Sequence, residues 1–577
     1  MRQDEDSKQV SGAPSPAAII RRHTDISFPA KVPVGKTFPL RVQLVPSEET
    51  LPSGELRAVP KPHPHDVTLP LVVGEPAAPH EPPPPIRVNI SVAAENFQIE
   101  GETHAQIIVP LVGRSPAVNF RLRGQQVGPG RIMIDFDQDG RPVGSVDLSP
   151  EVVPAHQRES EEPASSAGEI GIATHPGSVP DAVLTVFEFR LADRPGRLHF
   201  VFSTSDPRLQ DLPVAFHGDL GTIDLNVEVA DWVGDQLRRI GTLARQATAN
   251  QEDVFRTLST IGFDLFSQLL PKPLQDLHWT LRERGVRSLL ILSDDPHIPW
   301  ELVKPVRFNP LTGELHQEDG FWGESYSLGR WLRGRTPPSH FSYRRIVAMT
   351  AGGVAADPGK QQGVRDFVPD TSQTSRQVSL SSGGKTKEQG VAEGELAVFH
   401  GLEGKGAQVL ILPASRHRIL AALESGDFDL LHVVSHGQFG GPNAPDASAL
   451  LMDDGPFWAA ELSERMAAPL RSAAPLIFFN ACHSGQTGFS LTRLGSWGAR
   501  LVQLGCGGFI GSLWPVSDQA ACKFAQAFYE ALLAEKTLGN AMLAARRQVQ
   551  EEFPNDPTWL AYCCYADPMA TVTEDRP

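Results

Sequence analysis

The chain has 577 residues, which is too long for a single hydrophobic core, so several domains are expected. Its 40% hydrophobic and 21% charged residues are typical of a globular protein. The net charge of −16 argues against nonspecific nucleic-acid binding. The amino-terminal segment MRQDEDSKQV is polar, which argues against a signal peptide, and the lack of a long apolar run argues against a membrane span.

The first part of the chain is predicted to be rich in β-strands. In IRVNISV (86–92) apolar side chains occupy every second position, which is the pattern of a half-buried strand. Short segments of this kind, separated by turns, favour an all-β sandwich. The predicted order is a flexible tail at 1–27, a β-sandwich-like domain at 28–150 with a Pro-rich insertion at 46–85, a linker at 151–180, and further strands at 181–230 in the same or a second sandwich.

The sequence pattern changes at about residue 230. Apolar residues at helical spacing predict a helical connector at 231–274. Strands and helices then alternate from 275 to 570, which predicts an α/β domain with a mostly parallel sheet, interrupted by a polar, mobile insertion at 353–390. The predicted strands are 288–293, 344–350, 407–413, 428–435, 476–481 and 506–514, and the predicted helices are 391–403, 415–425, 458–466, 490–504, 518–534 and 537–552.

Two of the predicted strands end in residues that can carry out chemistry. FDLLHVVS leads into His436 and Gly437, and LIFFNA leads into Cys482. Sites in parallel sheets form at the carboxyl ends of strands, so neighbouring strands would bring Cys482 and His436 to one crevice. An imidazole supplies the base or positive charge that makes a thiol a good nucleophile. The backbone amides of Gly437 and Cys482 are the predicted oxyanion-hole donors.

Cysteine usage favours a reducing compartment. The five cysteines include no CxxC pair, so neither a disulfide framework nor a zinc site is predicted, and the cytoplasm is the simplest location. Cys506, Cys522, Cys563 and Cys564 are expected to be buried. His483 is adjacent to Cys482, but neighbouring side chains diverge, so His436 is preferred as the base.

The motifs of the carboxy-terminal half resemble those of the CHAT domain, the caspase/separase-related (clan CD) cysteine peptidase domain of bacterial multidomain proteins. The resemblance lies in LLILSDDPHIPWELV, FDLLHVVSHG, LIFFNACHSG, GGFIGSLWPVSDQAACKFAQAFYEALL and WLAYCCYADP, in this order. It covers roughly 275–570 and does not reach the β-rich half. It implies a caspase-like fold and a Cys–His dyad formed by Cys482 and His436.

The resemblance also bears on substrate preference. In the related separases an acidic residue in a similar stretch binds the arginine before the cleaved bond, so Asp518 is a candidate ligand for a basic P1 side chain. The alternative is structural, because Asp518 or Ser517 is also suited to begin a helix. Trp514 is a candidate pocket wall or a core residue.

The predicted function is therefore that of a cysteine endopeptidase without a metal or organic cofactor, acting on a protein or peptide and regulated through the β-rich region by a partner or trigger. One alternative is a catalytically silent caspase-like scaffold that acts through the β-rich region. A nucleotide-dependent switch would use Lys385 in SLSSGGKT, although Ser379 replaces the first glycine of a P-loop. Self-cleavage of the insertion at Arg365, Arg376 or Lys385 also remains open.

Overall fold

The structure is a computed structural model of the chain. It describes residues 19–50, 56–63, 66–74, 83–138, 140–160, 162–170, 178–191, 194–214, 218–244, 251–293, 295, 297–309, 311–351, 387–403, 407–438, 449–482, 494–514 and 516–573. Among these residues no helix combines the length and the apolar character needed to cross a membrane.

The amino-terminal region forms two five-stranded antiparallel sheets that share one core, as the alternating pattern predicted. The predicted bounds were wrong, because the tail, the Pro-rich insertion and the linker each contribute a strand to these sheets: Ile19–Ser27, Thr68–Val72 and Ser166–Ile170. In one strand Ile86, Val88, Ile90 and Val92 are buried, and their side chains pack against the facing sheet. In spatial order, one sheet contains Thr68–Val72, Ile19–Ser27, Thr37–Pro46, Val118–Gly124 and Phe97–Glu100, and the other contains Ser166–Ile170, Arg141–Leu148, Arg131–Gln138, Ile86–Glu95 and His104–Val109. Smaller sheets are formed by Gly128–Pro129, Glu151–Val153 and Lys31–Pro33, and by Glu48–Thr50 with Leu56–Ala58.

The strands between 182 and 224 belong to a different sheet from the one that the sequence predicted. We expected them in a sandwich, but Ala182–Leu191 pairs in parallel with Ser288–Ser293 and so extends the large carboxy-terminal sheet. The physical reason is visible in Ala182–Phe187, where nearly every side chain is buried, as in a strand covered on both faces. Local alternation does not specify the sheet in which a strand pairs.

The large carboxy-terminal sheet is mostly parallel, as predicted for alternating strands and helices. Ser288–Ser293 is buried along its whole length because the sheet is covered on both faces. The strand order is Asp219–Asp224, Arg194–Ser203, Ala182–Leu191, Ser288–Ser293, Ser327–Trp331, Tyr562–Tyr565, Gly508–Ser512, Leu476–Cys482, Leu430–Gln438, Arg345–Thr350 and Gln408–Pro413, with Ala449–Met452 and Gly455–Trp458 as an added hairpin beside Leu430–Gln438. Short two-stranded sheets join Val306–Phe308 to Leu315–Glu318 and His340–Ser342 to Thr571–Thr573.

The helices lie between and around these strands. The helix predicted at 458–466 is absent, because the extended backbone of Leu462 divides this stretch into two 3₁₀ turns, Ala459–Glu461 and Glu464–Met466. The α-helices are Val229–Ala244, Gln251–Asp264, Lys272–Glu283, Trp322–Ser325, Lys387–Glu403, Arg416–Ser425, Ala467–Ala473, Leu494–Leu504, Asp518–Leu533 and Leu538–Glu552, with a π-helical turn at Leu265–Leu269 and further 3₁₀ turns at Trp300–Leu302 and Pro557–Leu560.

A buried arginine joins the amino-terminal sandwich to the large sheet. The Arg333 guanidinium lies 2.6 Å from the Asp135 carboxylate and 3.0 Å from the Asp147 carboxylate, and only 7% of Arg333 is exposed. Nearby, the Thr336 hydroxyl donates to the Pro142 carbonyl. The strand pair Arg131–Gln138 and Arg141–Leu148 is thereby fixed against the carboxy-terminal domain.

A second contact at this junction predicts a pH effect on stability. Burial raises the pKa of Asp567 to about 6, although Arg141 at 4.0 Å partly opposes this. Between about pH 4 and 6 the Asp567 carboxyl group is therefore protonated in the folded protein but ionised in the unfolded chain. The stability that protonated Asp567 contributes is lost as the pH rises through 6. We expect the free energy of unfolding of Asp567→Asn, relative to the unsubstituted protein, to rise by about 3 kcal/mol between pH 4 and 7 in urea titrations. A difference that does not change with pH would contradict this expectation.

Candidate active site

The two predicted catalytic residues lie directly opposite each other on neighbouring strands. Leu430–Gln438, the histidine strand, pairs in parallel with Leu476–Cys482, the cysteine strand, and the register aligns His436 with Cys482. Neighbouring strands are about 4.8 Å apart, which brings the two backbones close enough for their residues to interact. Both positions are at the carboxyl ends of their strands, where sites form in parallel sheets.

The sequence explains why both strands lie in the interior of the sheet. Leu431, Val433, Ile477 and Phe479 are buried apolar residues, and they alternate with further buried residues on the other face. The backbone N–H and C=O groups of a buried strand need hydrogen-bonding partners on both sides, and the cysteine strand pairs with both the histidine strand and Gly508–Ser512. Side chains alternate between faces, so positions 436 and 482 are on the same face as His432 and Asn480.

The other predicted site residues lie in the following places. Gly437 is buried and follows His436 in the histidine strand, where its register partner is Leu450 of the added hairpin. Trp514 is fully buried in the core. Asp518 is the first residue of the helix Asp518–Leu533, whose N-cap is Ser517. The Ser517 side chain makes no capping bond and instead donates to Asp556.

Asp518 lies towards the same edge of the sheet as Cys482. The Asn480 side chain donates to the Ala521 carbonyl at 3.3 Å, which fixes the helix Asp518–Leu533 against the cysteine strand. Cys482 is two residues beyond Asn480, about 7 Å closer to the carboxyl edge. Asp518 is three residues before Ala521, about 4.5 Å along the helix axis. The helix is the next element after the strand Gly508–Ser512, which runs parallel to the cysteine strand, so the amino-terminal end of the helix faces that same edge.

The remaining cysteines are unsuited to nucleophilic chemistry. Burial raises the pKa of Cys506, Cys522 and Cys563 to about 12, and it also raises the pKa of Cys564. Their thiols therefore stay protonated and unreactive at neutral pH. This result agrees with the buried, structural role that the sequence predicted for them.

A buried polar network, which sequence reasoning missed, lies beneath the predicted dyad. The Glu395 carboxylate Oε1 is 2.7 Å from His432 Nε2 and accepts from Asn480 Nδ2 at 2.6 Å. His432 Nδ1 is 3.0 Å from the Tyr529 hydroxyl, and the Tyr562 hydroxyl donates to Asn480 Oδ1 at 2.6 Å. All five residues are at most 2% exposed. These residues connect the helices Lys387–Glu403 and Asp518–Leu533 with the histidine strand, the cysteine strand and the strand Tyr562–Tyr565.

The sequence contained one signal for this network. His432 and Asn480 are polar residues within otherwise apolar strands, and a buried polar side chain requires a hydrogen-bonding partner. Their partner Glu395 is 37 residues from His432 along the chain, so local patterns could not identify it. His483 and the P-loop-like Lys385, like Arg365 and Arg376, lie outside the described residues.

Two parts of the chain match known protein families. Residues 261–567 match the CHAT domain family, and residues 27–148 match a family described as Domain of unknown function (DUF7363). No curated protein matches the chain. Among solved structures, the Arg-specific cysteine proteinase gingipain R is 12% identical over 54% of this chain and 71% of that chain, with a TM-score of 0.33.

The separase–securin complex of Saccharomyces cerevisiae is 11% identical over 67% of this chain, with a TM-score of 0.34. The match spans only 30% of that chain's length. The carboxy-terminal region has a caspase-like fold with a large, mostly parallel sheet. Since the CHAT match covers more than half of the 577 residues, the chain belongs to the CHAT domain family.

Proposed function

We propose that this protein is a cysteine endopeptidase with Cys482 as the nucleophile and His436 as the base. The observation that carries the proposal is the register of the two central strands, which aligns these residues at the carboxyl edge of the sheet. Cysteine peptidases need a thiol and an imidazole close together, and this register supports such a pairing of Cys482 with His436. The protonated state of the other cysteines leaves Cys482 as the candidate nucleophile.

The reaction proceeds in two steps. His436 takes the proton of the Cys482 thiol, and the thiolate attacks the peptide carbonyl carbon. The backbone amides of Gly437 and Cys482 donate to the oxyanion, and His436 then gives its proton to the leaving amine as the C–N bond breaks. In the second step His436 deprotonates a water molecule, which hydrolyses the thioester and restores the thiol.

The alkylation rate of Cys482 as a function of pH tests the dyad without knowledge of a substrate or trigger. Iodoacetamide is expected to modify Cys482 with a thiolate pKa below the usual value of about 8.5, because a neighbouring imidazolium stabilises the thiolate. His436→Ala should return this pKa towards 8.5 and slow alkylation at pH 6.5, as measured by peptide mass spectrometry. If His436→Ala leaves the profile unchanged, the dyad is refuted and a caspase-like scaffold is favoured.

The proposed preference for a basic P1 side chain rests on the position of Asp518. A carboxylate in the first helical turn is stabilised by the helix dipole and can accept a charge-assisted bond from arginine or lysine. Asp518→Asn is expected to lower kcat/KM for arginine at P1 by about 10- to 100-fold, as measured with a P1 substrate library. Glu530→Gln, near the other end of the same helix, is the control and should leave the preference intact. An unchanged preference in Asp518→Asn would remove Asp518 from the pocket.

The amino-terminal sandwich is proposed to bind a regulatory protein partner. Arg333 attaches the sandwich to the carboxy-terminal domain, so a partner bound there could influence the peptidase domain. A reducing compartment such as the cytoplasm fits the described cysteines Cys506, Cys522, Cys563 and Cys564, which are free thiols.

A further inference from the structure

We infer that Glu395 is a positioning residue for the dyad, holding the histidine and cysteine strands in the arrangement that their chemistry needs. This inference rests on the proposed peptidase function. A single carboxylate oxygen, Glu395 Oε1, contacts His432 of one strand and Asn480 of the other. A group from outside the sheet thus bridges the two strands that carry the dyad.

The bridge lies close below the site. Asn480 is two residues before Cys482 and on the same face of the cysteine strand, about 7 Å away along the strand. His432 is four residues before His436 on the corresponding face of the histidine strand, about 13 Å away. A sideways movement of either strand would therefore have to break a bond to Glu395.

The hydrogen-bonding partners fix the orientation of each group in the network. The carboxylate accepts only, so His432 Nε2 carries a proton towards Glu395, and Nδ1 can accept from the Tyr529 hydroxyl. Burial raises the pKa of Tyr529 well above its ordinary value, so this hydroxyl stays protonated. The Tyr562 hydroxyl donates to Asn480 Oδ1, which turns the Asn480 amide nitrogen towards Glu395. A fully paired buried network favours one arrangement over alternatives.

The helix Lys387–Glu403 carries Glu395 and packs against His432 and Tyr529 of the network. The Phe399 ring lies 5.4 Å from the His432 ring and 4.9 Å from the Tyr529 ring, measured between centroids. Gln526 donates to the Gly394 carbonyl at 2.8 Å. These contacts fix the position of the helix next to the two strands, and the helix in turn fixes the position of the Glu395 carboxylate.

The chain contains a matched control for this network. His278, far from the dyad in the sequence, also lies between a carboxylate and a tyrosine: its Nε2 is 3.1 Å from Asp319, and its Nδ1 is 3.1 Å from the Tyr326 hydroxyl. Both His278 and Tyr326 are 1% exposed. Tyr326→Phe therefore removes a buried tyrosine hydroxyl, as Tyr562→Phe does, but from outside the Glu395 network.

The test measures Cys482 alkylation against pH in the full-length protein. Glu395→Ala removes the bridging acceptor and is expected to slow alkylation at pH 7 by about 10-fold and to raise the apparent thiol pKa. Glu395→Gln retains an acceptor oxygen and should stay within about 3-fold of the unsubstituted protein. Tyr562→Phe, which frees the Asn480 amide to rotate, should slow alkylation by a smaller factor than Glu395→Ala. Tyr326→Phe should leave the profile unchanged.

The outcomes separate this inference from the proposed function. If His436→Ala alters Cys482 reactivity but Glu395→Ala and Tyr562→Phe behave like Tyr326→Phe, the positioning role is overturned and the dyad stands. If His436→Ala has no effect, the dyad itself fails. If Glu395→Ala does not fold, Tyr562→Phe decides: a shifted thiol pKa supports the inference, and a profile equal to that of Tyr326→Phe overturns it.

Discussion

If the proposed mechanism holds, Cys482→Ala is expected to reduce peptide hydrolysis by about 10³-fold or more, because that mechanism uses the Cys482 thiol as its nucleophile. His436→Ala should cause a loss of similar size, since nucleophile and base act as a unit and removing either one disables both. Proteomic mapping of cleavage sites with active protein and with Cys482→Ala would measure the loss and identify the substrates together.

Cys522→Ala is the control for the loss of a thiol. Cys522 is 9% exposed, and burial holds its pKa at about 12, so its removal should leave hydrolysis unchanged. Full activity in Cys482→Ala would contradict the proposed mechanism. An unsubstituted protein whose Cys482 shows no enhanced reactivity would favour the silent scaffold.

Glu301→Ala is expected to lower the free energy of unfolding by about 3–5 kcal/mol, because it leaves a buried cation without its partner. The Arg330 guanidinium donates to both Glu301 oxygens, with Nε to Oε1 at 3.0 Å. The two side chains are only 4% and 1% exposed. Burial alone would lower the pKa of Arg330, but neighbouring groups, with the Glu301 carboxylate first among them, more than offset this and raise it.

A second buried arginine increases the cost of losing Glu301. The Arg546 guanidinium donates to the carbonyls of Gly323 and Tyr562, and burial lowers its pKa while Glu301 opposes that decrease. Arg330→Met should therefore lower the free energy of unfolding by less than Glu301→Ala does. It removes one of the two cations and leaves Arg546 to interact with the Glu301 carboxylate.

Urea unfolding followed by tryptophan fluorescence can measure this loss. All nine tryptophans lie at or after residue 232, so the signal reports the carboxy-terminal part of the chain. Glu252→Ala is the matched control: Glu252 pairs with Arg256 on a helix surface with 78% of its side chain exposed, and it should cost less than about 0.5 kcal/mol. A Glu301→Ala cost as small as that of Glu252→Ala would show that the buried pair does not stabilise the fold.

The sequence by itself predicted six strands of the carboxy-terminal sheet, and two of them end at the candidate residues His436 and Cys482. Runs such as LLHVVS and LIFFNA are apolar on both faces, which is a local consequence of burial in a covered parallel sheet. The helices Arg416–Ser425 and Leu538–Glu552 lie within one residue of their predicted bounds because helical periodicity is also local.

Only the tertiary structure decided which strands became neighbours. It joined Ala182–Leu191 to the large sheet, aligned His436 with Cys482, and brought Glu395 to His432 and Asn480. Each of these pairings connects residues that are distant along the chain. A local pattern specifies whether a segment is buried, whereas the partner that buries it is chosen by the packing of the whole domain.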